Sequence, residues 1–257
     1  FVHRQVDLVN PHSSRDGWTA GFAGRLADVP RIIRSRHFDV PIANRTVSRF
    51  VYTRLADHLI TTGPVLTQRL QRAFDLPDDQ VSTIPTGVDP ERFAPRGKVS
   101  RFPGAPGQKK WPLIGMIAVM RWAKGHVVMV QAARILHDRG LPVRLLFVGD
   151  GPSQKPIKVE IDKLSLRDAV HFTGYREDIP EILRSLDCAV FPSMHESIPQ
   201  VALQAMASGI PVVGSDAGGI PSVILDGRTG RICPKGDAPA LADRLQELLT
   251  HPQQTRD

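Results

Sequence analysis

Short apolar runs recur along the chain, separated by longer segments in which apolar residues return every three or four positions. The runs predict buried strands, and the segments between them predict amphipathic helices. The predicted strands cover residues 6–9, 31–36, 58–62, 81–84, 113–119, 143–148, 170–173, 188–191 and 211–214. The predicted helices cover residues 18–26, 41–57, 64–74, 127–137, 153–164, 179–184, 201–207 and 238–250, with Asp16 as the N-cap of the first. This alternation is typical of α/β folds with parallel sheets.

A change in composition interrupts the alternation between Ala94 and Gly107, where proline and glycine are frequent and apolar residues are few. Segments of this kind commonly join domains. We therefore predict two α/β domains, residues 1–95 and 96–257, with a doubly wound sheet in the second.

The segment from Asp187 to Gly219 has the strand, loop, helix, strand order of a βαβ unit. Its first loop carries Glu196 between a buried strand and a helix, at the sheet edge where such folds bind ligands. Two roles are open for Glu196: it binds ligand hydroxyl groups, or it caps the following helix. Gln204 lies about two turns further along and can share the same face.

Two basic residues, Arg121 and Lys124, lie with Gly125 in a loop between a predicted strand and a predicted helix. Cations beside the N–H groups of a helix N-terminus suit a diphosphate and would stabilise a leaving nucleotide. A pair of solvated surface cations is the alternative, and spacing does not decide between the two.

Several histidines are candidate ligand contacts. His12 and His37 each follow an early strand, where both a ligand role and a structural hydrogen-bonding role are open. His195 is a candidate general base because it adjoins an acid, although this alone is weak evidence. His126 and His171 are interpreted as structural.

Motifs of other common ligand sites are incomplete or missing in the sequence. Gly149-Asp-Gly151 is followed by Pro-Ser-Gln, so the dinucleotide motif G-x-G-x-x-G is not completed. The sequence contains no P-loop, no D-x-D pair and no His/Cys cluster with zinc spacing. It therefore predicts no metal site and no bound cofactor.

The net charge of +7 and the pI of about 9.8 favour an anionic partner. The first lysine is Lys98, whereas six arginines crowd an early stretch: Arg31, Arg34, Arg36, Arg45, Arg49 and Arg54. They predict either a solvated surface or contact with an anionic membrane or an acidic acceptor. Nucleic acid is disfavoured, because two tyrosines and three tryptophans provide no aromatic interleaving among the basic residues.

A hydrophobic fraction of 41% is enough for a core, and no apolar run approaches the roughly 18 residues of a membrane span. The two cysteines, Cys188 and Cys233, have no metal-ligand spacing, so we expect a reduced cytoplasmic setting. Peripheral contact with the inner face of the plasma membrane is compatible with the charge. The chain opens FVHRQVDLVN without Met, and we expect it to be a fragment.

An ordered set of motifs resembles that of the retaining glycosyltransferases of family 4. The motifs are Ile84-Pro-Thr-Gly-Val-Asp89, the Arg121 to Gly125 loop, Leu146 to Pro152, Val170 to Gly174, Glu196-Ser197 through Gly209 to Gly218-Gly219, and Asp226-Gly227. The first half resembles the acceptor-binding domain of the family, through Asp7 to His12 and Arg34-Ser-Arg-His37. Each motif alone is weak, but their order is specific.

The resemblance implies the GT-B fold, with two Rossmann-like domains. Residues 1–95 would be an acceptor-binding domain that lacks its opening strand and glycine-rich loop, and residues 96–257 would bind the donor. The implied reaction moves a sugar from a nucleotide-diphosphate sugar, such as a UDP- or GDP-sugar, to a glycan or lipid-linked acceptor. It would retain the anomeric configuration and use no metal. The family tendency points to cell-surface polysaccharide or lipopolysaccharide biosynthesis.

The resemblance also implies residue roles. Arg121 and Lys124 would hold the diphosphate, Glu196 would contact the donor sugar, His37 would lie near the reacting sugar, and His12 would line the acceptor side. The remaining donor contacts would come from Gly174 and Tyr175 at the base, from the backbone of Ser197, Ile198, Pro199 and Gln200 at the phosphates, and from Gln204 at the ribose.

Two departures from the family lower the expected activity. Gln204 stands where the family has the second acid of E-x7-E, and its amide oxygen accepts hydrogen bonds without a charge. The missing opening strand would leave an exposed sheet edge in the first domain. A nucleotide-sugar epimerase with the GT-B fold and a non-catalytic nucleotide-sugar-binding fragment are the alternatives.

Overall fold

The computed structural model describes residues 4–37, 46–102 and 111–250. The chain forms two compact units, Phe1–Thr86 and Gly87–Asp257, each with its own parallel sheet. Residues 87–95, which the sequence assigned to the first domain, belong to the second unit. The reason is visible at Phe93, which is buried in a cluster with Leu113 and Leu183 of that unit.

In its described residues, the first unit contains a four-stranded parallel sheet and three α-helices. Its strands are β1 (Leu8–Val9), β2 (Arg31–Arg36), β3 (His58–Thr61) and β4 (Val81–Thr83), in the spatial order β1-β2-β3-β4. Its helices are α1 (Ser14–Leu26), α2 (Thr46–Phe50) and α3 (Pro64–Phe74), and a π-helical turn, Val51–Leu55, continues α2. The core of this unit includes the buried side chains of Tyr52, Leu59, Leu70 and Phe74.

Helix α1 begins earlier than predicted and has a different cap. Ser13 is the N-cap, with extended backbone, and its hydroxyl accepts a hydrogen bond from the backbone N–H of Asp16. The prediction of Asp16 as N-cap was therefore wrong, because a serine three residues earlier satisfies that N–H. The helix predicted over 41–57 is α-helical only over Thr46–Phe50, and its residues 41–45 lie outside the described part of the chain.

The second unit has the strand order of a Rossmann-like sheet. Its strands are β5 (Leu113–Ile117), β6 (Arg144–Val148), β7 (Val170–Gly174), β8 (Cys188–Phe191), β9 (Val212–Ser215) and β10 (Arg231–Cys233), in the order β10-β9-β8-β5-β6-β7. All the strand pairs are parallel. The order reverses between β5 and β8, and such a reversal opens a ligand crevice at the carboxyl ends of the strands.

The helices described around the second sheet are α4 (His126–Asp138), α5 (Gln154–Lys163), α6 (Ile179–Leu183), α7 (Gln200–Ala207) and α8 (Ala238–Thr250). One apolar cluster packs α4, α5 and α8 against the sheet through residues such as Met129, Ile157 and Leu245, and a second cluster includes Ala205 of α7 and Ile182 of α6. Strands β8 and β9 are buried along their whole length and are mostly apolar, which explains why they were predictable, since strands buried on both faces read as nearly continuous apolar runs.

Strand β10 was missed by the sequence analysis, because three residues carry no measurable periodicity. The predicted linker 94–107 is partly attached to the second unit. Arg184 donates to the backbone carbonyls of Ala94 and Lys98, and the Ser100 hydroxyl donates to Asp178. Residues 103–107 of that linker lie outside the described residues. Across the described ranges, we find no helix that combines the length and the apolar composition needed to cross a membrane.

Candidate functional site

The loop after β5 is held close to the loop after β8. Gly125 has a φ of 77°, and a Cβ atom there would lie 1.9 Å from the backbone oxygen of Pro192. The N–H of Met194 donates to the carbonyl of Ala123 over 2.8 Å. Only glycine permits this approach, which brings the side chains of the two loops to one place at the reversal of strand order.

Lys124 and Glu196 form an ion pair at this place. The Nζ atom of Lys124 lies 2.5 Å from Oε2 of Glu196, and the two side chains are 29% and 14% exposed. The Ser193 hydroxyl donates to the same carboxylate oxygen over 3.4 Å, and the Ser197 N–H donates to the other over 3.2 Å. Lys124 is therefore not the solvated surface cation that the spacing left open.

The helix-capping alternative for Glu196 is also excluded. Helix α7 begins at Gln200, its N-cap is Pro199, and no side chain caps it. Glu196 instead holds its carboxylate towards Lys124 and Ser193. Arg121 is exposed at the start of the 3-10 turn Trp122–Lys124, and among the described residues its side chain has no hydrogen bond or ion pair.

The Gly-Gly turn after β9 packs against the backbone of the Glu196 loop. Gly218 has a φ of 53°, and a Cβ atom on it would lie 1.9 Å from the backbone oxygen of Glu196. The N–H of Gly219 donates to that same oxygen over 3.2 Å. The two glycines thus allow a backbone-to-backbone contact that fixes the position of the carboxylate-bearing loop.

A third loop, after β7, contains the residues predicted to meet a nucleobase. Gly174 ends β7 with a φ of 68°, and Tyr175 is 74% exposed. The N–H of Tyr175 donates to the carboxylate of Asp150 over 3.1 Å. Asp150 was not among the site residues predicted from the sequence, although its position after β6 at the carboxyl edge was the available signal. The base-contact role of Gly174 and Tyr175 stays a prediction.

The remaining predicted donor contacts lie on and before α7. Ser197, Ile198 and Pro199 form the turn before the helix, and Gln200 is its first residue. Gln204 follows one helical turn later and is half-buried. All these residues follow Glu196 directly in the chain, in the same loop or in helix α7. Their contacts with phosphate and ribose remain predictions.

His12 and His37 are joined by a hydrogen bond between their rings in the first unit. Nδ1 of His12 lies 2.7 Å from Nε2 of His37, and the rings are stacked with centroids 5.0 Å apart. They meet because β1 and β2 are neighbours and each histidine lies beyond the end of its strand. Burial, and next the proximity of His12, lower the pKa of His37 below its usual value. One ring nitrogen of each is thus engaged, and the ligand role of either residue stays open.

Two other histidines have different surroundings. His126, the first residue of α4, is 2% exposed, and neither ring nitrogen has a hydrogen-bond partner within the described ranges. Burial, followed by the charge of Lys124, lowers the pKa of His126 to about 4, so it is neutral near pH 7. His195 is exposed beside Glu196 and lies against Trp122, with ring centroids 6.1 Å apart.

The early arginines do not form a uniformly solvated surface. Arg34 is only 5% exposed and lies over the ring of Tyr52, whose hydroxyl accepts a hydrogen bond from Arg36. Arg49 is exposed and pairs with Asp75. The solvated interpretation was therefore wrong for Arg34, and Arg45 lies outside the described residues.

Within the same described ranges, no group of three or more His, Cys, Asp or Glu side chains is arranged to hold a metal ion. Independence from metal stays a prediction. The site at the second sheet therefore consists of two basic side chains, one carboxylate and the backbone of three loops, a set suited to an anion bearing hydroxyl groups.

Two family models match the chain. Residues 101–257 match the family described as "Glycosyl transferases group 1", and residues 1–92 match the one described as "Glycosyltransferase Family 4". Together the two matches cover both units of the structure.

Individual relatives give the same assignment. The chain is 28% identical over 94% of its length to WcaL of Escherichia coli strain K12, whose name places it in colanic acid biosynthesis. It is 28% identical over 84% of its length to the "UDP-Gal:alpha-D-GlcNAc-diphosphoundecaprenol alpha-1,3-galactosyltransferase" of Escherichia coli. The chain spans 61% and 59% of the lengths of these two relatives.

A comparison of structures confirms the fold class. The crystal structure of Anabaena Alr3699/HepE in complex with UDP and glucose superimposes with a TM-score of 0.83 at 22% identity. The match covers 97% of this chain and 70% of that one. The predicted GT-B class, built from Rossmann-like parallel sheets, is thereby confirmed.

Proposed function

This chain belongs to the glycosyl transferases group 1 family, and from that premise we propose a donor, an acceptor class and a mechanism. It transfers a sugar from a nucleotide-diphosphate sugar to a glycan or lipid-linked acceptor, in the biosynthesis of a cell-surface polysaccharide or lipopolysaccharide. The transfer retains the anomeric configuration and uses no metal ion. The observation that carries the proposal is the ion pair of Lys124 and Glu196 where the strand order reverses, with the exposed Arg121 in the same loop as Lys124.

The donor diphosphate occupies the place of the two basic side chains. Arg121 is exposed and has no ion pair in the described ranges, so it can meet an incoming phosphate without breaking another contact. Lys124 is held by Glu196 and exchanges that carboxylate for phosphate oxygens on binding. The N–H groups at the N-termini of α4 and α7 add positive potential at the same edge.

Bond breaking at the donor sends an electron pair to the nucleoside diphosphate. Arg121 and Lys124 stabilise the charge that grows on this leaving group, which is the task that a metal ion performs in other phosphate sites. Once Lys124 turns to phosphate, Glu196 accepts hydrogen bonds from hydroxyl groups of the donor sugar. Its partner Ser193 keeps the carboxylate oriented during this exchange.

The other donor and acceptor contacts follow the residue roles predicted from the sequence. The backbone at Gly174 and Tyr175 meets the base, Gln204 meets the ribose, and Ser197 to Gln200 meet the phosphates. In the first unit, the His12 and His37 pair lies on the acceptor side, with one ring nitrogen of each facing away from the shared hydrogen bond.

The two alternative functions are not favoured. An epimerase would need additional acid and base residues, and none was identified in the sequence. A non-catalytic binder is not favoured by the relatives described above, since WcaL and the galactosyltransferase of Escherichia coli are both named as transferases.

A membrane-side location in the cytoplasm completes the proposal. Trp18, Phe22 and Phe50 form a continuous aromatic stack on the outside of the first unit, and Leu26 beside it is 85% exposed. Arg15 and Arg54 are exposed in the same elements. Exposed aromatic and leucine side chains among arginines suit the interface of an anionic membrane. Both cysteines are unpaired and buried, as in a reduced compartment.

Calorimetric titration with UDP and GDP tests the donor site. We expect one of the two nucleotides to bind and Arg121→Ala to weaken that binding by about tenfold or more. Arg167→Ala is the matched control, because Arg167 is an exposed arginine of the same unit paired with Asp162. Equal affinity in wild type and Arg121→Ala would overturn the assignment. Release of nucleoside diphosphate that requires an acceptor glycan would distinguish transfer from binding alone.

A further inference from the structure

Arg34 is a buried cation for which the described residues provide no compensating anion. It is 5% exposed in β2, and its guanidinium carbon lies 4.3 Å from the centroid of the Tyr52 ring. Throughout the described ranges it forms no salt bridge, and its Nη1 atom has no hydrogen-bond partner. Burying an unpaired charge is costly, so a buried arginine ordinarily pairs with a carboxylate or another anion. Tyr52 supplies only the face of its ring.

The guanidinium lies against the first turn of α1. A Cβ atom on Gly17 would be 2.6 Å from both Cζ and Nη1 of Arg34, so the helix can approach this side chain only because residue 17 is glycine. Helix α1 has 13 residues, and its N-terminal N–H groups carry partial positive charge. The Ser13 hydroxyl satisfies one of these N–H groups, that of Asp16. A cation at a helix N-terminus adds to this potential instead of offsetting it.

Further basic groups lie at the same ends of β1 and β2. Arg36 donates to the hydroxyl of Tyr52 over 2.7 Å. His12, which directly precedes the N-cap Ser13, is bonded to His37, which directly follows β2. The exposed Asp16 is the acidic residue in the first turn of α1. Arg34, Arg36 and Asp16 together carry a net positive charge.

We propose that Arg34, Gly17 and the first turn of α1 form a binding site for a phosphoryl group, which we name the Arg34 site. A phosphoryl group has several oxygens, so it can receive hydrogen bonds from a guanidinium and from helix N–H groups at once. The Arg34 site belongs to the first unit, whereas Arg121 and Lys124 belong to the second. Resting on the proposed function, we assign it to a phosphate carried by the acceptor, either a soluble sugar phosphate or a lipid phosphate headgroup.

Binding of inorganic pyrophosphate tests the Arg34 site when the donor site is removed. In the full chain carrying Arg121→Ala and Lys124→Ala, titration calorimetry should still detect pyrophosphate. Adding Arg34→Met should weaken binding by about tenfold or more, since a charge-assisted hydrogen bond is lost. Adding Gly17→Ala should also weaken it, because the new methyl group displaces the guanidinium while the charge remains.

Arg31→Met is the matched control, because it removes one exposed arginine from the opposite end of the same strand. Unchanged pyrophosphate affinity in both Arg34→Met and Gly17→Ala, or equal loss in Arg31→Met, would overturn the proposal. If circular dichroism shows that Arg34→Met does not fold, the pyrophosphate affinities of Gly17→Ala and Arg34→Lys test the proposal instead. Arg34→Lys should bind more weakly than wild type, because lysine cannot offer the planar pair of donors.

Two probes distinguish the source of the phosphate. Glucose 1-phosphate represents a soluble acceptor, and phosphatidylcholine vesicles with or without phosphatidic acid represent a lipid headgroup. Arg34-dependent binding of one probe supports that source, and binding of neither overturns the assignment to the acceptor. UDP titration of Arg34→Met in the otherwise wild-type chain should match wild type. A wild-type chain that binds neither UDP nor GDP would contradict the proposed function and leave the pyrophosphate result standing.

Discussion

The Nζ atom of Lys124 lies 2.5 Å from a carboxylate oxygen of Glu196, although the two residues are 72 positions apart in the sequence. The contact joins the basic residue after β5 to the acid after β8, across the reversal of strand order. Each residue therefore neutralises the other, and in the proposed mechanism the donor replaces this contact with phosphate for Lys124 and hydroxyl groups for Glu196. This relationship leads to the first prediction.

Lys124→Met and Glu196→Gln should separate donor affinity from sugar transfer. Loss of Lys124 removes a phosphate contact and leaves Glu196 unpaired and only 14% exposed, so UDP or GDP affinity should fall by about tenfold or more. Glu196→Gln releases Lys124, so nucleotide affinity should be kept or raised, while transfer falls by roughly a hundredfold. Calorimetry measures the first effect, and nucleotide release with an acceptor measures the second.

The double variant serves as the control for this pair. If the two side chains interact, the effect of Glu196→Gln on nucleotide affinity should differ between the wild-type and the Lys124→Met backgrounds. Additive effects, or transfer at the wild-type rate in Glu196→Gln, would refute the exchange of partners.

Gly218→Ala should destabilise the second unit and loosen the Glu196 loop. The new Cβ would lie 1.9 Å from the backbone oxygen of Glu196, at a φ of 53°. We expect the free energy of unfolding to fall by about 3 kcal/mol or more. Gly140→Ala is the control, with a φ of 77° and no atom within 4 Å of its Cβ, and should lose only about 1 kcal/mol. Urea denaturation measures both, and equal losses would contradict the close contact.

His126 should make stability depend on pH below neutrality. Burial lowers the pKa of His126 to about 4 from an ordinary value of 6.5, so the unfolded chain binds this proton at a higher pH than the folded chain. The stabilisation is complete above pH 6.5 and is lost as the pH falls towards 4. Between pH 7 and pH 4, the wild type should lose about 3 kcal/mol more of its unfolding free energy than His126→Leu.

Denaturant titrations at several pH values measure this difference. His195→Asn, an exposed histidine in the same unit, is the control and should keep the wild-type dependence on pH. If wild type and His126→Leu show the same pH dependence, His126 of the wild type is not buried in its neutral form.

His12→Leu should raise the pKa of His37. Burial is the larger cause of the lowered His37 pKa and the proximity of His12 is the smaller one, so the pKa should rise without reaching its ordinary value. NMR titration of the ring proton resonances measures the shift. His58→Asn changes a histidine that bonds to Ser82 instead, and it should leave the His37 titration unchanged. A His37 pKa unaffected by His12→Leu would show that the two rings are not paired in solution.

Much of the second unit could be predicted because its central strands β5 and β8 are apolar along their whole length. Cys188–Phe191 was predicted to the residue, and so was Ala238–Thr250, whose apolar residues recur with the helical period. The start of α1 was missed because two capping residues, Ser13 and Asp16, stand close together, and only the backbone geometry shows which of them accepts the hydrogen bond.

From the sequence alone we predicted an α/β fold, a candidate ligand edge after β5 and β8, and the family, through an ordered set of motifs. The tertiary structure decided which polar residues meet. Spacing along the chain left Glu196 between two roles and Lys124 between two others, because their partners are distant in sequence and the distance across a sheet depends on strand order. The burial of Arg34 could not be predicted from spacing either. An arginine in a strand is expected to be exposed, and only the tertiary structure shows that Gly17 of α1 and Tyr52 enclose this one.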